Sequence, residues 1–171
     1  MLKKNIEKAL NHQIKVEAES SQFYLYMASW AEVNGFNGTA DFMYLHSDEE
    51  RMHMLKLFRF VNERGGHAIV PDLPASKEKI ASLEDVFKSL LQHEVSVTEE
   101  INQLVGLCLS EKDYTTHNFL QWYVAEQMEE EALARTILDR MNLLKGDKSG
   151  LYVFDRDLAA LRSQIAARAK N

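Results

Sequence analysis

The chain has 171 residues, 46% hydrophobic and 27% charged, with a net charge of −6. That length makes one domain able to bury a real core, and the acidic balance argues against nucleic acid as the main partner and suits a cation binder. A single cysteine, Cys108, excludes an internal disulfide and a cysteine-based metal site.

Only 2 Pro and 7 Gly interrupt the chain, which favours long helices. Residues from about 4 to 34 read as the first, closed at Asn34-Gly35, where glycine supplies a left-handed cap. Its seam, taken at alternating steps of four and three, is Ile6, Leu10, Gln13, Glu17, Ser20, Tyr24, Met27 and Ala31. The seam is apolar at both ends and polar in the middle, so Glu17 points where a core residue belongs. A second helix is expected from Thr39 to Arg64, before Gly65-Gly66, with the seam Thr39, Met43, His46, Glu50, His53, Leu57 and Phe60. Residues 66–82 carry Pro71 and Pro74 and show no helical period. Ser82 and Asp85 then form a capping box. The third helix runs to about Ser110 along Leu83, Phe87, Leu90, Glu94, Val97, Ile101, Leu104 and Cys108, one glutamate in an otherwise apolar seam. Asp113 caps a fourth helix, Tyr114 to Lys145, with Leu120, Tyr123, Gln127, Glu130, Ala134, Ile137 and Met141 inward. A short fifth helix is expected over about 155–168, with Leu158, Leu161 and Ile165 on one face docking on something, other subunits included.

Link lengths set the topology. Short links make helices one and two antiparallel neighbours, and likewise three and four. The 17 residues from 66 to 82 reach about 55–60 Å when extended, more than the roughly 40 Å of a 26-residue helix. One long crossover therefore runs the length of the bundle and leaves helices two and three parallel. The expectation is an all-α chain forming a single domain over 1–171: a four-helix bundle over about 4–145, the crossover at 66–82, and the short C-terminal helix. No apolar run approaches about 18–20 residues and no signal peptide opens the chain, so a cytoplasmic location without a membrane partner is expected.

Glu17, Glu50, His53, Glu94 and Glu130, with Gln127 beside them, fall at one level of this bundle. Glu50 and His53 leave the same helix face one turn apart. An inward Glu-x-x-His is the ligand unit of carboxylate-bridged two-metal sites in helix bundles. A lone buried carboxylate costs several kcal/mol unless it is paired or metal-bound, and no Lys or Arg stands beside these acids on the seams. Four carboxylates balance two divalent ions. The donor set admits Fe, Mn or Zn; bridging carboxylates that tolerate the change from Fe(II) to Fe(III) favour iron.

Together with Asn118-Phe-Leu-Gln-Trp-Tyr-Val-Ala-Glu-Gln-Met-Glu-Glu-Glu131, these residues resemble the bacterial non-haem ferritins over essentially the whole chain. The resemblance implies the ferritin-like fold with one long crossover between helices 2 and 3. It also implies iron storage and detoxification, with a ferroxidase centre oxidising Fe(II) by dioxygen or hydrogen peroxide. One iron is then held by Glu17, Glu50 and His53 and the other by Glu50, Glu94 and Glu130. Tyr24 lies next to the centre as an electron donor, and Gln127 is a hydrogen-bonding group around it. Glu49, Glu126 and Glu129 match a third iron site shared with Glu130. The assembly implied is a homo-oligomeric shell of 24 chains around ferric oxide mineral, with the fifth helices at four-fold axes. Bacterioferritins carry a haem methionine directly after the Glu of the first Glu-x-x-His; here that position is Arg51, and Met52 faces about 100° away, so no haem is expected. Two other classes stay open: a di-iron peroxidase or oxidase working as a small oligomer, and a metal-free helical interaction module. His46 reads as a packed, hydrogen-bonded histidine one turn from Glu50. His12, His67, His93 and His117 read as surface residues, Trp122 and Tyr123 as packing, and Cys108 as a small core residue.

Overall fold

The computed structural model describes residues 2–75, 79–144 and 146–168, with side chains described as far as Leu158. Five helices follow in order: α1 (Lys4–Val33), α2 (Asn37–Glu63), α3 (Leu83–Ser110), α4 (Tyr114–Leu144) and α5 (Lys148–Arg168). No strand occurs among the described residues, and no helix among them is long and apolar enough to cross a membrane.

Local chemistry sets the boundaries. α1 stops at Gly35, whose φ of 81° is the left-handed cap conformation; the Phe36 N–H then reaches back to the Ala31 carbonyl at 2.9 Å. α3 opens with the capping box at Ser82, whose hydroxyl accepts from the Asp85 N–H at 3.1 Å while the Asp85 carboxylate accepts from the Ala81 N–H. Asp113 caps α4 by accepting from the Thr116 N–H and hydroxyl. α5 begins at Lys148, earlier than the expected start near Asp155. The reason is Asp147, whose carboxylate accepts from the N–H groups of Ser149 and Gly150, so a stretch that reads as a glycine-bounded link is a capped first turn. The side chains of Leu161 and Ile165, expected on its docking face, lie outside the described residues; Leu158 is buried.

Paired contacts give the helix directions. Lys3 meets Glu111, His12 meets Glu100 and Ser20 meets His93, so α1 and α3 are antiparallel. Arg64 meets Asp113, the Tyr123 hydroxyl donates to the His53 carbonyl, and His46 meets Glu130, so α2 and α4 are antiparallel as well. Ser21 and Ser47 each donate to the other's carbonyl, joining α1 to α2. Residues 66–82 lie between the end of α2 and the start of α3. The first part of this link is pinned to α1 through Asn11, which donates to the His67 carbonyl and accepts from the Ile69 N–H.

The core falls into two apolar clusters. One, centred on Ile6, Leu10, Leu57, Ile101 and Leu120, fills the end of the bundle that holds the start of α1. The other, centred on Met27, Met43, Phe87, Leu90 and Ile137, fills the opposite end, where Leu158 of α5 joins it. Between them the four seams carry buried polar side chains: Gln13, Glu17, Ser20, His46, Glu50, His53, Glu94, Gln127 and Glu130.

Candidate metal centre

Each bundle helix brings an acid to this layer because its seam repeats at the helical period and stays apolar above and below. Glu17, Glu50, His53 and Glu94 are at most 4% exposed, and Glu130 is 9% exposed. The donor atoms of Glu17, Glu50 and His53 lie within 4.8 Å of one another. His53 Nδ1 stands 3.3 Å from Glu50 and 3.9 Å from Glu17. Gln13 donates to Glu17 Oε1 at 2.8 Å, while Glu17 Oε2 is buried with no hydrogen-bond partner among the described residues. An unpartnered carboxylate oxygen at this depth is what a cation would complete.

Glu94 lies across the layer. Tyr24 donates to its Oε1 and Gln127 donates to its Oε2 at 3.1 Å. Tyr24 and Gln127 therefore each hold one oxygen of the same carboxylate. Glu130 leans the other way: His46 Nε2 is 3.2 Å from its Oε2, and His46 Nδ1 is 3.0 Å from the Phe42 carbonyl. A carbonyl only accepts, so Nδ1 carries a proton and holds the ring with Nε2 towards the acid. His46, Glu49 and Glu130 have donor atoms within 4.8 Å of one another, and so do Glu49, His53 and Glu126.

The third-site acids are thus only partly gathered. Glu49 and Glu126 converge with His53 rather than with Glu129, which stands outside every three-donor group among the described residues and is felt by Glu126 as a neighbouring charge. Glu94 likewise belongs to none of these groups; it is engaged by Tyr24 and Gln127.

Burial sets the electrostatics. It pushes the carboxyl of Glu17 well above its usual range, with the charge of Glu50 adding to the rise. Glu50 is raised by burial and by Glu94. Glu94 is pushed up to about 7, by burial first and then by Glu130, against the lowering effect of the Tyr24 and Gln127 hydrogen bonds. Burial and the surrounding acids also raise Tyr24, which stays a protonated donor. Like charges gathered out of water hold protons until a cation replaces them.

Gln13 is a polar residue that the seam pattern contains but does not single out, whereas His46 is packed and hydrogen-bonded as its sequence position indicates, with Glu130 as its partner. Gln13 and His46 each lie one turn before a central acid on the same seam, at i−4 from Glu17 and Glu50, the spacing that places side chains together. His93, expected at the surface, is half-buried, stacked on Phe23 at 4.3 Å and 2.8 Å from the Ser20 hydroxyl; burial lowers its pKa to about 4. Trp122 and Tyr123 pack as expected, Trp122 edge-on to His53 at 5.1 Å.

Four helices that each turn an acid towards one buried layer, with a histidine one turn from a central glutamate, define the class of carboxylate-centred helix bundles. The family model of the ferritin-like domain matches residues 7–144. The chain belongs to the ferritin-like family. It is 44% identical, over 96% of its length and 99% of the relative's, to a "probable bacterial non-heme ferritin-like protein" of Haemophilus influenzae. It is 42% identical to a bacterial non-heme ferritin of Campylobacter jejuni, over 91% of this chain and 93% of that one. Among solved structures it superposes on an open-pore ferritin of the archaeon Archaeoglobus fulgidus with a TM-score of 0.91 and 40% identity, covering 93% of this chain and 98% of that chain.

Proposed function

We propose that the chain is a ferroxidase of the ferritin type: it oxidises Fe(II) to Fe(III) at the buried acid layer, with dioxygen or hydrogen peroxide taking the electrons, and stores the ferric product inside a shell of like subunits. The observation that carries the reading is the sealed layer itself, four carboxylates and His53 between two apolar clusters. Within it, Glu17 Oε2 has no hydrogen-bond partner at normal geometry among the described residues and faces His53 Nδ1 at 3.9 Å.

Iron is the substrate, and the side chains act on it in stated ways. Glu17, Glu50 and His53, whose donor atoms converge, take one Fe(II). Glu94 and Glu130, with Glu50 between the halves, take the other, held about 3.5–4 Å away. The carboxyls that burial holds protonated, among Glu17, Glu50 and Glu94, give up their protons on binding, because metal ligands must be deprotonated. Tyr24 keeps its phenolic proton on Glu94 and stands close enough to supply an electron; Gln127 fixes the second Glu94 oxygen. The third iron site is assigned to Glu49, Glu126 and Glu129 together with Glu130. Its gathered part, Glu49 and Glu126 beside His53, supports the position more than the full ligand list. The relatives named bacterial non-heme ferritin support the ferritin reading; to it we add a shell of 24 chains in the cytoplasm.

Replacing Glu94 with Ala tests the centre. The variant is expected to fold, since it removes a buried acid, and to lose at least about a hundredfold in the rate of Fe(II) oxidation. Oxidation by Glu94→Ala at the wild-type rate, with its helical content intact, rules out this centre.

A further inference from the structure

The solvent side of α1 and α3 holds a groove of about 220 Å³ that the ferroxidase reading leaves without a role. Leu104 and Leu107 line it together with Gln103, and two polar side chains flank it, His12 from α1 and Glu100 from α3. His12 Nε2 and Glu100 Oε2 are 3.2 Å apart, and the imidazole is exposed. Gln13 also lines the groove, yet it is only 1% exposed and donates to Glu17 Oε1 at 2.8 Å. A single side chain therefore touches both the groove and the centre. Beyond it lies Glu17 Oε2, buried and without a hydrogen-bond partner among the described residues.

We propose that Fe(II) reaches the centre through this α1–α3 groove, docking at His12 and Glu100 and passing Gln13 to Glu17. The inference rests on the ferroxidase reading and adds the route of its substrate. An exposed imidazole–carboxylate pair is weakly held, so a divalent cation separates it readily and finds an oxygen and a nitrogen donor at the mouth. Gln13 suits the next step because its amide carries both functions. The N–H group orients Glu17, and the carbonyl oxygen is a donor that hard cations accept. Leucines on the groove wall keep the path narrow and leave the polar groups as its footholds. Glu17 is then the first carboxylate of the centre that the ion meets.

The test uses stopped-flow oxidation by the assembled, metal-free protein at limiting and at saturating Fe(II). Glu100→Lys places a positive charge at the mouth without touching the centre. It is expected to slow the limiting-iron rate by about tenfold, to leave the saturating rate and the iron bound per chain unchanged, and to recover at high salt. Glu63→Lys makes the same change in net charge at an exposed position on α2 and is expected to behave as wild type. Gln13→Leu is expected to raise the Fe(II) needed for half-maximal rate more than it lowers the maximum. A Glu100→Lys rate equal to wild type at limiting iron overturns the route. So does Glu63→Lys slowing the reaction equally, or Gln13→Leu lowering only the maximum. Wild-type protein that oxidises no Fe(II) overturns the ferroxidase reading itself and the route with it.

Discussion

Glu94 accepts hydrogen bonds on both carboxyl oxygens, from Tyr24 and from Gln127, yet burial and the charge of Glu130 still push it from 4.5 up to about 7. Between those values the native metal-free protein keeps a proton that the unfolded chain has released. The stability Glu94 contributes is therefore complete below about pH 4.5 and is lost as the pH rises through about 7. Glu94→Gln removes that dependence. In chelator-treated protein it should raise Tm relative to wild type by roughly 4–8 °C more at pH 8 than at pH 5. An equal Tm difference at the two pH values would show that Glu94 does not hold the proton. Metal binding runs the opposite way, tightening over the same window as the carboxyls deprotonate. The acids were readable from sequence because a glutamate in an apolar seam has few explanations. Gln13 was harder, since a neutral polar residue one turn from an acid is equally at home as packing. His93 was misread because it lies off the seam, and its stacking on Phe23 depends on how α1 and α3 meet rather than on any local pattern.

α2 begins without a side-chain cap of its own at Phe36. Its cap comes from α5. Asp155 Oδ1 accepts from the Thr39 N–H at 2.8 Å and from the Thr39 hydroxyl at 2.7 Å, and Oδ2 accepts from the Gly38 N–H at 3.0 Å. Gly38 is required for this approach, because a Cβ there would stand 1.9 Å from the Asp155 carbonyl oxygen. One carboxylate thus satisfies the open end of α2 and fastens α5 to the bundle, with Phe154 edge-on to Phe87 at 5.5 Å completing the contact. Asp155→Ala should cost about 1–2 kcal/mol and expose α5 to limited proteolysis, while Fe(II) oxidation per chain stays at the wild-type rate. Gly38→Ala should loosen α5 by steric displacement even though Asp155 is intact. Unchanged protease resistance in both variants would remove the latch. Such a cap cannot be found by reading locally: donor and acceptor are more than a hundred residues apart. The four long helices were legible for the opposite reason, since each is written in a run of consecutive turns with glycine or a capping residue at its ends. The start of α5 was not, because Gly146 and Gly150 hid the cap at Asp147.

At the scale of the whole molecule, a polar layer between two apolar clusters is a poor way to stabilise a bundle. Uncompensated buried acids oppose folding, and the layer makes physical sense as a site whose stability arrives with its cation. A storing shell and a small-oligomer di-iron oxidase share the same bundle and differ in how much iron each chain accounts for. Metal-free protein loaded aerobically with Fe(II) and separated by size should give iron in large excess over chains, eluting with a particle far larger than the 19.7 kDa chain. Glu94→Ala should assemble to the same particle but fill it slowly, because Glu94 is buried inside the bundle and offers no surface to a neighbouring chain. Two or three irons per chain on a small oligomer would instead make the protein a di-iron oxidase or peroxidase. Absence of co-eluting iron would reduce the acid layer to a structural feature. A filled large particle from wild type and a slowly filled one from Glu94→Ala would tie the buried layer to the stored mineral, and no other pairing of those two results does so.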